Sequence, residues 1–301
     1  MAETPFFSII IPTYNRSHLI RRPIDSVLAQ IYTDWELIIV DDGSTDDTKS
    51  VVQSYNDKRI FYVWQGNQER SAARNHGIKL AKGEWICFQD SDDEYMLDHL
   101  KVLFDAINLN KSYSVFRTGM HIYSNGKLMK IQKFNITNPY ELFPFDAFTT
   151  FAFKKEILNN IWFKKELINS QDLHFMIRVV EKHDIKIVNQ HTNIYHYDPI
   201  NGAGLRKDYL RIYTSKILCF EDLLSQSMNI KEKYLKRKLC LSHIVMLLGH
   251  LKYNNAIFLP EVYNTINCFV KYPWDFYKLI LRICYVKFSE VILRKTFEYR
   301  F

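Results

Sequence analysis

Along the first third of the chain, apolar residues gather in short unbroken runs, each followed by a polar turn and then by apolar residues at helical spacing. Phe6 to Ile11, Trp35 to Val40, Arg59 to Trp64 and Trp85 to Phe88 are rich in β-branched and aromatic side chains. Their lack of alternation predicts strands covered on both faces. Leu19, Ile20, Ile24, Val27, Leu28 and Ile31 share one side of a helix. Its regular part should start near Pro23, because a proline deep inside would remove a backbone bond. A second helix runs through Val51, Val52 and Tyr55, and Ser44, Thr45 and Asp46 are all suited to cap it. A third carries Ile78, Leu80 and Ala81 and stops at Gly83, where a C′ glycine commonly sits. A fourth runs through Leu97, Leu100, Leu103, Phe104 and Ile107. This alternation with short loops predicts an α/β fold, a mostly parallel sheet flanked by helices.

Past residue 110 the period shortens. Tyr113 to Tyr123 and Leu128 to Phe134 read as strands joined at Asn125-Gly126, a strong hairpin signal. Residues 135–168 lack a period and are aromatic, with Tyr140, Phe143, Phe145, Phe148, Phe151, Phe153 and Trp162. Most of these rings should be core. A helix with Phe175, Met176, Val179 and Val180 inward follows Asn169-Ser170-Gln171-Asp172. Ile185 to Val188 and Asn193 to Asp198 then read as strand, ahead of a loop containing Gly202 and Gly204. Residues 226–301 are helical in pattern. The expected organisation is one domain over 1–225, with halves 1–110 and 111–225, and a basic helical extension over 226–301.

Charge sharpens that division. The 301 residues carry a net charge of +7, but residues 226–301 hold 13 Lys and Arg against 5 Asp and Glu, leaving 27 against 28 for the rest. A neutral body with a cationic end suggests an anionic partner for the end alone. Pro273-Trp274 leads into aliphatic residues interleaved with Lys278, Arg282, Lys287, Arg294 and Lys295. That pattern suits either an interfacial membrane helix or a cap packed on the body. The five cysteines are widely spaced and form no C-x-x-C pair, so neither a zinc site nor a disulfide framework is expected. Met1 to Pro5 is short and polar, and no apolar run reaches spanning length, so a cytoplasmic location is expected.

The candidate chemistry lies at strand ends. Asp90-Ser91-Asp92-Asp93 follows the fourth strand directly, and carboxylates that close repel unless neutralised. A hard cation such as Mg²⁺ or Mn²⁺ does this well, although Asp93 as a helix cap is the plainer reading. Asp41 and Asp42 end the second strand, where a carboxylate can accept from a base N–H or a ribose hydroxyl. Arg74, on the third helix, could neutralise the acids at 90–93 and also touch a diphosphate. Glu94 suits the start of the following helix. His196 reads either as a histidine satisfied within its strand or as a further metal ligand or diphosphate donor. Arg206 and Lys207 could also reach a diphosphate.

In combination, Ile10-Ile11-Pro12-Thr13-Tyr14-Asn15, Val40-Asp41-Asp42-Gly43-Ser44-Thr45-Asp46, Ala73-Arg74-Asn75, Lys82-Gly83-Glu84 and Asp90-Ser91-Asp92-Asp93 resemble the family 2 glycosyltransferases of the GT-A fold. The resemblance covers roughly the first third of the chain. It implies a Rossmann-like sheet that binds a nucleotide-diphosphate sugar, usually a uridine one. Pro12, Thr13, Tyr14, Asp41 and Asp42 would line the nucleoside site, with Arg74 near the base or diphosphate. Asp90, Ser91 and Asp92 match the D-x-D, in which the second acid ligates Mn²⁺ or Mg²⁺ and the first contacts ribose or supports the ligand. The family carries a Glu-Asp pair at the start of a later helix, whose Asp is the general base of inverting transfer. Asp172 matches that base, while Gln171 departs from the Glu.

The resemblance therefore implies a metal-dependent inverting glycosyltransferase. It would move a sugar to a hydroxyl of a saccharide or lipid-linked saccharide, in surface polysaccharide or glycolipid synthesis at the inner face of the cell membrane. Contact with an anionic membrane is expected through 226–301, and nucleic acid is not among the expected partners. The alternative is a nucleotide-sugar-binding protein that has lost transfer, for which Gln171 is the hint. A phosphotransferase is disfavoured, since the chain has neither a Walker loop nor G-x-G-x-x-G.

Overall fold

The computed structural model describes residues 4–131, 148–197 and 209–226. The chain divides into two compact units, 1–204 and 205–301. The sequence reading puts the boundary at 225/226; contacts define one division and charge the other. In the first unit, nine strands form one sheet in the order β3 (Ile60–Trp64), β2 (Trp35–Asp41), β1 (Phe7–Thr13), β4 (Trp85–Phe88), β8 (Phe151–Lys154), β6 (Val115–Ser124), β9 (Ile185–His196), β5 (Glu94–Tyr95), with β7 (Lys127–Ile131) added beside β6.

The first half matches its pattern. β1 (Phe7–Thr13) lies parallel to β2 (Trp35–Asp41) and to β4 (Trp85–Phe88), and β2 is parallel to β3 (Ile60–Trp64). Both faces of these strands are covered, which explains why their apolar runs do not alternate. Ile9, Ile11, Leu37 and Ile39 pack with Ile24 and Val27 of α1 (Arg21–Leu28) and with Leu100 and Leu103 of α4 (His99–Leu109). Ile10, Ile38 and Val40 face the other way, toward Ala73 and Ile78 of α3 (Glu69–Leu80) and Phe175, Met176 and Val179 of α5 (Gln171–Val180). Each fully buried aliphatic side chain contributes roughly 1.5–3 kcal/mol. Pro23 sits within the first turn of α1, as its missing N–H requires.

Two glycines set close approaches. Gly43 has φ +89°, and a Cβ there would lie 2.8 Å from the Asn67 nitrogen. Gly83 packs on β1: a Cβ would lie 2.6 Å from the Ser8 nitrogen, and its own N–H donates to Ser8 Oγ at 2.8 Å. Close packing, not a left-handed cap, is thus what requires glycine at 83.

The second half departs from the mostly parallel expectation, and the sheet is mixed. β8 (Phe151–Lys154) runs antiparallel to both β4 and β6 (Val115–Ser124), whereas β6 lies parallel to β9 (Ile185–His196). β8 comes from the aromatic stretch read as irregular; four residues are too few to display a period. The hairpin of β6 with β7 (Lys127–Ile131) forms as expected, with Asn125 at φ 50° and Gly126 at φ 72°. Two end assignments change. α4 begins after Asp98, so Asp93 does not cap it, and Glu94 lies in β5 (Glu94–Tyr95), which pairs with β9. α2 (Thr48–Gln53) begins beyond Ser44 and Thr45; of the three expected capping residues Asp46 reaches it, its Oδ1 accepting from the Thr48 N–H at 3.0 Å.

In the second unit, α6 (Tyr209–Ser225) buries Cys219, Phe220 and Leu223. The helical extension and its expected membrane contact lie almost wholly outside the described residues, as do Tyr140, Phe143, Phe145, Arg206 and Lys207. None of the described helices is long and apolar enough to cross a membrane.

Candidate active site

The carboxyl ends of β1, β2 and β3 are in register, with Thr13 beside Asp41 and Asp41 beside Trp64. The pairing continues past the strands, since the Asp42 N–H donates to the Thr13 carbonyl at 2.9 Å. This aligned edge is where open α/β sheets take ligands. Asp41 itself is fully buried and committed to structure: Oδ1 accepts from the Ser44 N–H at 2.8 Å and Oδ2 from the Tyr62 hydroxyl at 2.6 Å. Asp42 Oδ1 accepts from Gln65 Nε2 at 2.7 Å and from the Gln68 N–H at 3.0 Å, which ties β2 to the loop entering α3. Thr13 is buried and its Oγ1 has no hydrogen-bond partner, Pro12 is half-buried, and Tyr14 is 48% exposed.

Ser44 to Asp46 serve the neighbouring loop. Ser44 Oγ accepts from the Asn15 N–H at 2.8 Å, Asn15 Oδ1 accepts from the Thr45 N–H at 2.8 Å, and Asp46 Oδ2 accepts from the Ser17 N–H at 3.0 Å. Asn15 adopts φ 51° to allow it. Burial pushes the Asp46 carboxyl up, but the bonds from Thr48 and Ser17 together outweigh this and hold it down at about 2. The loops after β1 and β2 therefore form one interlocked wall.

The centre of the site is Arg74. It is 1% exposed, its Nη1 donates to Asp172 Oδ1 in a short contact, and its Nη2 donates to Asp90 Oδ1 at 2.9 Å. The guanidinium carbon stands 5.1 Å and 5.3 Å from the ring centroids of Phe148 and Phe163. Burial alone would weaken its hold on the proton; Asp172 and then Asp90 reverse that, and its pKa is raised. One buried cation thus joins the D-x-D segment to the start of α5, where Ser170 at φ 65° turns the chain into the helix. Arg74 pairs with Asp90, one of the acids it is expected to neutralise, and with Asp172 as well. Gln171 is buried at the first position of α5, beside Asp172.

The acidic segment carries more negative charge than Arg74 neutralises. Asp92 is half-buried, and burial and then Asp90 raise its pKa, against the pull of Arg16 and Arg70. Its carbonyl accepts from Arg22 Nη1 at 2.8 Å, which fixes the turn, and Ser91 is half-buried in the same turn. Asp93 is 1% exposed. Its Oδ1 accepts from the His196 N–H at 3.0 Å, its Oδ2 has no partner, and burial followed by Asp92 and Asp90 pushes its pKa well up. His196 Nε2 lies 2.6 Å from Glu94 Oε1, so its ring is engaged there and not with Asp92.

Among the described residues, no three His, Cys, Asp or Glu side chains are grouped to hold a metal unaided. A divalent cation that takes one or two carboxylates and completes its shell with phosphate oxygens and water fits this donor set.

Two features escape sequence reading. Asn75 clasps residue 163, donating to its carbonyl at 2.8 Å and accepting from its N–H at 2.9 Å, and so sets the Phe163 ring under Arg74. Gln89, just before Asp90, is fully buried with neither amide atom bonded. Only the order of strands brings residues 75 and 163 together, and a lone Gln carries no pattern.

The mixed sheet with its flanking helices is an α/β fold of the GT-A type. The family described as Glycosyl transferase family 2 matches residues 8–184, so the chain belongs to that family and is a glycosyltransferase. It is 34% identical over 212 residues to WcaA of Escherichia coli K12, a glycosyl transferase whose name assigns it to colanic acid biosynthesis. That match covers 65% of this chain and 74% of the relative. It is 29% identical over 255 residues to a Campylobacter jejuni enzyme named GalNAc(5)-diNAcBac-PP-undecaprenol beta-1,3-glucosyltransferase, covering 80% of this chain and 81% of that one. Of two Rickettsia relatives the chain spans only 21% and 33% of the length. The crystal structure of S. aureus TarS 1-349 in complex with UDP-GlcNAc superposes with a TM-score of 0.65 at 23% identity, over 87% of this chain and 79% of that one, which establishes the shared fold.

Proposed function

We propose that this chain is a metal-dependent inverting transferase that moves a sugar from a nucleotide-diphosphate sugar, most simply a uridine one, to a hydroxyl of a lipid-linked saccharide. Polysaccharide or glycolipid assembly at the inner face of a bacterial membrane is the setting it fits. The observation that carries the proposal is the Asp90–Arg74–Asp172 bridge, because it places a carboxylate from α5 next to the D-x-D. The name of the Campylobacter relative specifies a lipid diphosphate acceptor, and the TarS complex holds a uridine donor.

In this reading Thr13, Tyr14 and Asp42 meet the nucleoside, with Thr13 Oγ1 the unbonded group available to it. Asp41 acts one step removed, holding the loop against Tyr62. Asp92, with Asp90 beside it, would hold Mn²⁺ or Mg²⁺, which when bound supplies charge neutralisation for the departing diphosphate. Asp172 takes the proton of the acceptor hydroxyl as its oxygen attacks the anomeric carbon. The new C–O bond forms as the bond to the diphosphate oxygen breaks, and configuration inverts. Arg74 pairs with Asp172 and aims its carboxylate.

A panel of nucleotide sugars with Mn²⁺, scored for binding and for transfer to polyprenyl-diphosphate saccharides, tests the reading. Binding of a uridine sugar with transfer and an inverted linkage is the expected result. Nucleotide-sugar binding with no transfer to any acceptor, alike in the wild type and in Asp172→Asn, would establish the binding-protein alternative.

A further inference from the structure

The face of α3 turned away from the sheet lines a cavity. Gln68, Ala72, Asn75, His76 and Lys79 recur every three or four residues and so share one side of the helix, opposite Ala73, Gly77 and Ile78, which pack toward the sheet. Trp162 and Lys165, ahead of α5, and Gln65, just past β3, complete the lining of a space of about 410 Å³. Spaces of roughly 300–1,000 Å³ hold small molecules. Among the described lining residues are none of those assigned above to the nucleoside, the cation or the acceptor hydroxyl.

The lining is cationic and aromatic. Lys79 Nζ stands 5.7 Å from the ring centroid of the half-buried Trp162, and Lys165 Nζ donates to Gln68 Oε1 at 3.4 Å. Both lysines are exposed, and among the described residues neither pairs with an acid, nor does an acid line the cavity. Two ammonium groups beside no carboxylate favour an anion. An indole at their side offers a flat apolar surface that a bare ion does not need and a sugar ring can cover. Asn75 spends both amide atoms on residue 163, so Gln68 and His76 are the neutral groups left to meet hydroxyls.

The cavity is also joined to the opposite side of the wall. Gln65 Nε2 donates to Asp42 Oδ1, so its Oε1, 2.8 Å from His76 Nδ1, must accept, and Nδ1 carries the proton. That tautomer makes Nε2 of the neutral ring an acceptor for a hydroxyl. We propose that the cavity binds an anionic saccharide, its acid group between Lys79 and Lys165, its ring against Trp162 and a hydroxyl on His76 Nε2, and that its occupancy strengthens donor binding by holding Gln65 on Asp42. The coupling rests on the nucleoside role given to Asp42 above; the binding site does not.

The test titrates the full chain by calorimetry with glucuronate, glucose 6-phosphate and glucose, first alone and then with UDP and Mn²⁺. At least one of the acidic sugars should bind, with glucose roughly tenfold or more weaker for want of the charge the lysines meet. Which acid binds better tells a carboxylate from a phosphate source. Lys79→Ala with Lys165→Ala should lose roughly tenfold or more of that affinity at the wild-type Tm, and UDP should not displace the sugar. With the acidic sugar bound, UDP should bind about fivefold tighter to the wild type, and Gln65→Leu should take the sugar without that gain. A wild type that binds neither acid, a double variant that binds as the wild type does, or displacement by UDP overturns the site. A bound acidic sugar with UDP affinity unchanged overturns the coupling. A chain that takes the acidic sugar and no nucleotide would sink the donor reading and leave the cavity's role standing.

Discussion

The carboxylates at the end of β2 and the carboxylate at the start of α5 are held in opposite ways. Asp41 and Asp42 accept from neutral donors of adjoining segments, the Ser44 and Gln68 N–H groups, the Tyr62 hydroxyl and the Gln65 amide. Asp172 is gripped by a buried guanidinium from 98 residues earlier, one that also grips Asp90. Neutral donors fix an acid in place without coupling its charge to that of another acid. A shared cation makes the position and charge of one acid depend on the other, so whatever engages Asp90 is felt at Asp172. The first arrangement suits a wall, the second a reacting centre.

The sharpest way to break the contrast is Asp172→Asn, which removes the proton acceptor and keeps the shape. Transfer should fall by about 10²–10⁴-fold, while nucleotide binding by calorimetry stays at the wild-type level; equal activity would deny Asp172 its role. Asp92→Asn comes next, with an expected loss of roughly 10²–10³-fold in kcat and a much weaker response to added Mn²⁺. Undiminished transfer by this variant under chelation would remove the metal from the proposal.

Arg74→Lys attacks the bridge itself. A lysine keeps the charge but cannot span two carboxylates with a planar fork, so transfer should drop about tenfold and stability by roughly 1–3 kcal/mol. Asp172 loses one arm of the fork that aims it, so the loss should fall on kcat and not on nucleotide affinity. A stability loss with kcat unchanged would reduce Arg74 to a packing role. Gly83→Ala, away from the site, should cost a comparable 1–3 kcal/mol or so with kcat unchanged, because only the approach of residue 83 to Ser8 is disturbed.

The smallest effect is expected in the wall. Asp46 is held at about 2 against an ordinary 3.8, so it contributes stability above pH 3.8 that is lost as pH falls toward 2. Thermal melts of wild type and Asp46→Asn should differ most at neutral pH and converge as the medium is acidified through that window. A gap that stays constant would mean the loop bonds do not depend on the charge of Asp46.

Much of the first half was readable because its signals are local. Unbroken apolar runs, helical spacing and turn residues act over a few positions, and backbone geometry converts them directly into strands, helices and the Asn125-Gly126 turn. The grouping of acids at strand ends is local in the same sense, since Asp41, Asp42 and Asp90 to Asp93 each follow a strand without a break. Sequence alone therefore determined the α/β class, the parallel first half and the candidate acids. The tertiary structure decided what each acid touches: that Asp41 is a buried brace, that Ser44 to Asp46 lock onto another loop, and that His196 turns to Glu94. It also decided that β8 enters antiparallel between β4 and β6. The reason is distance along the chain, because those contacts join segments up to about a hundred residues apart. Their partners are chosen by strand order and by which buried charges must be neutralised, and neither leaves a period in the sequence.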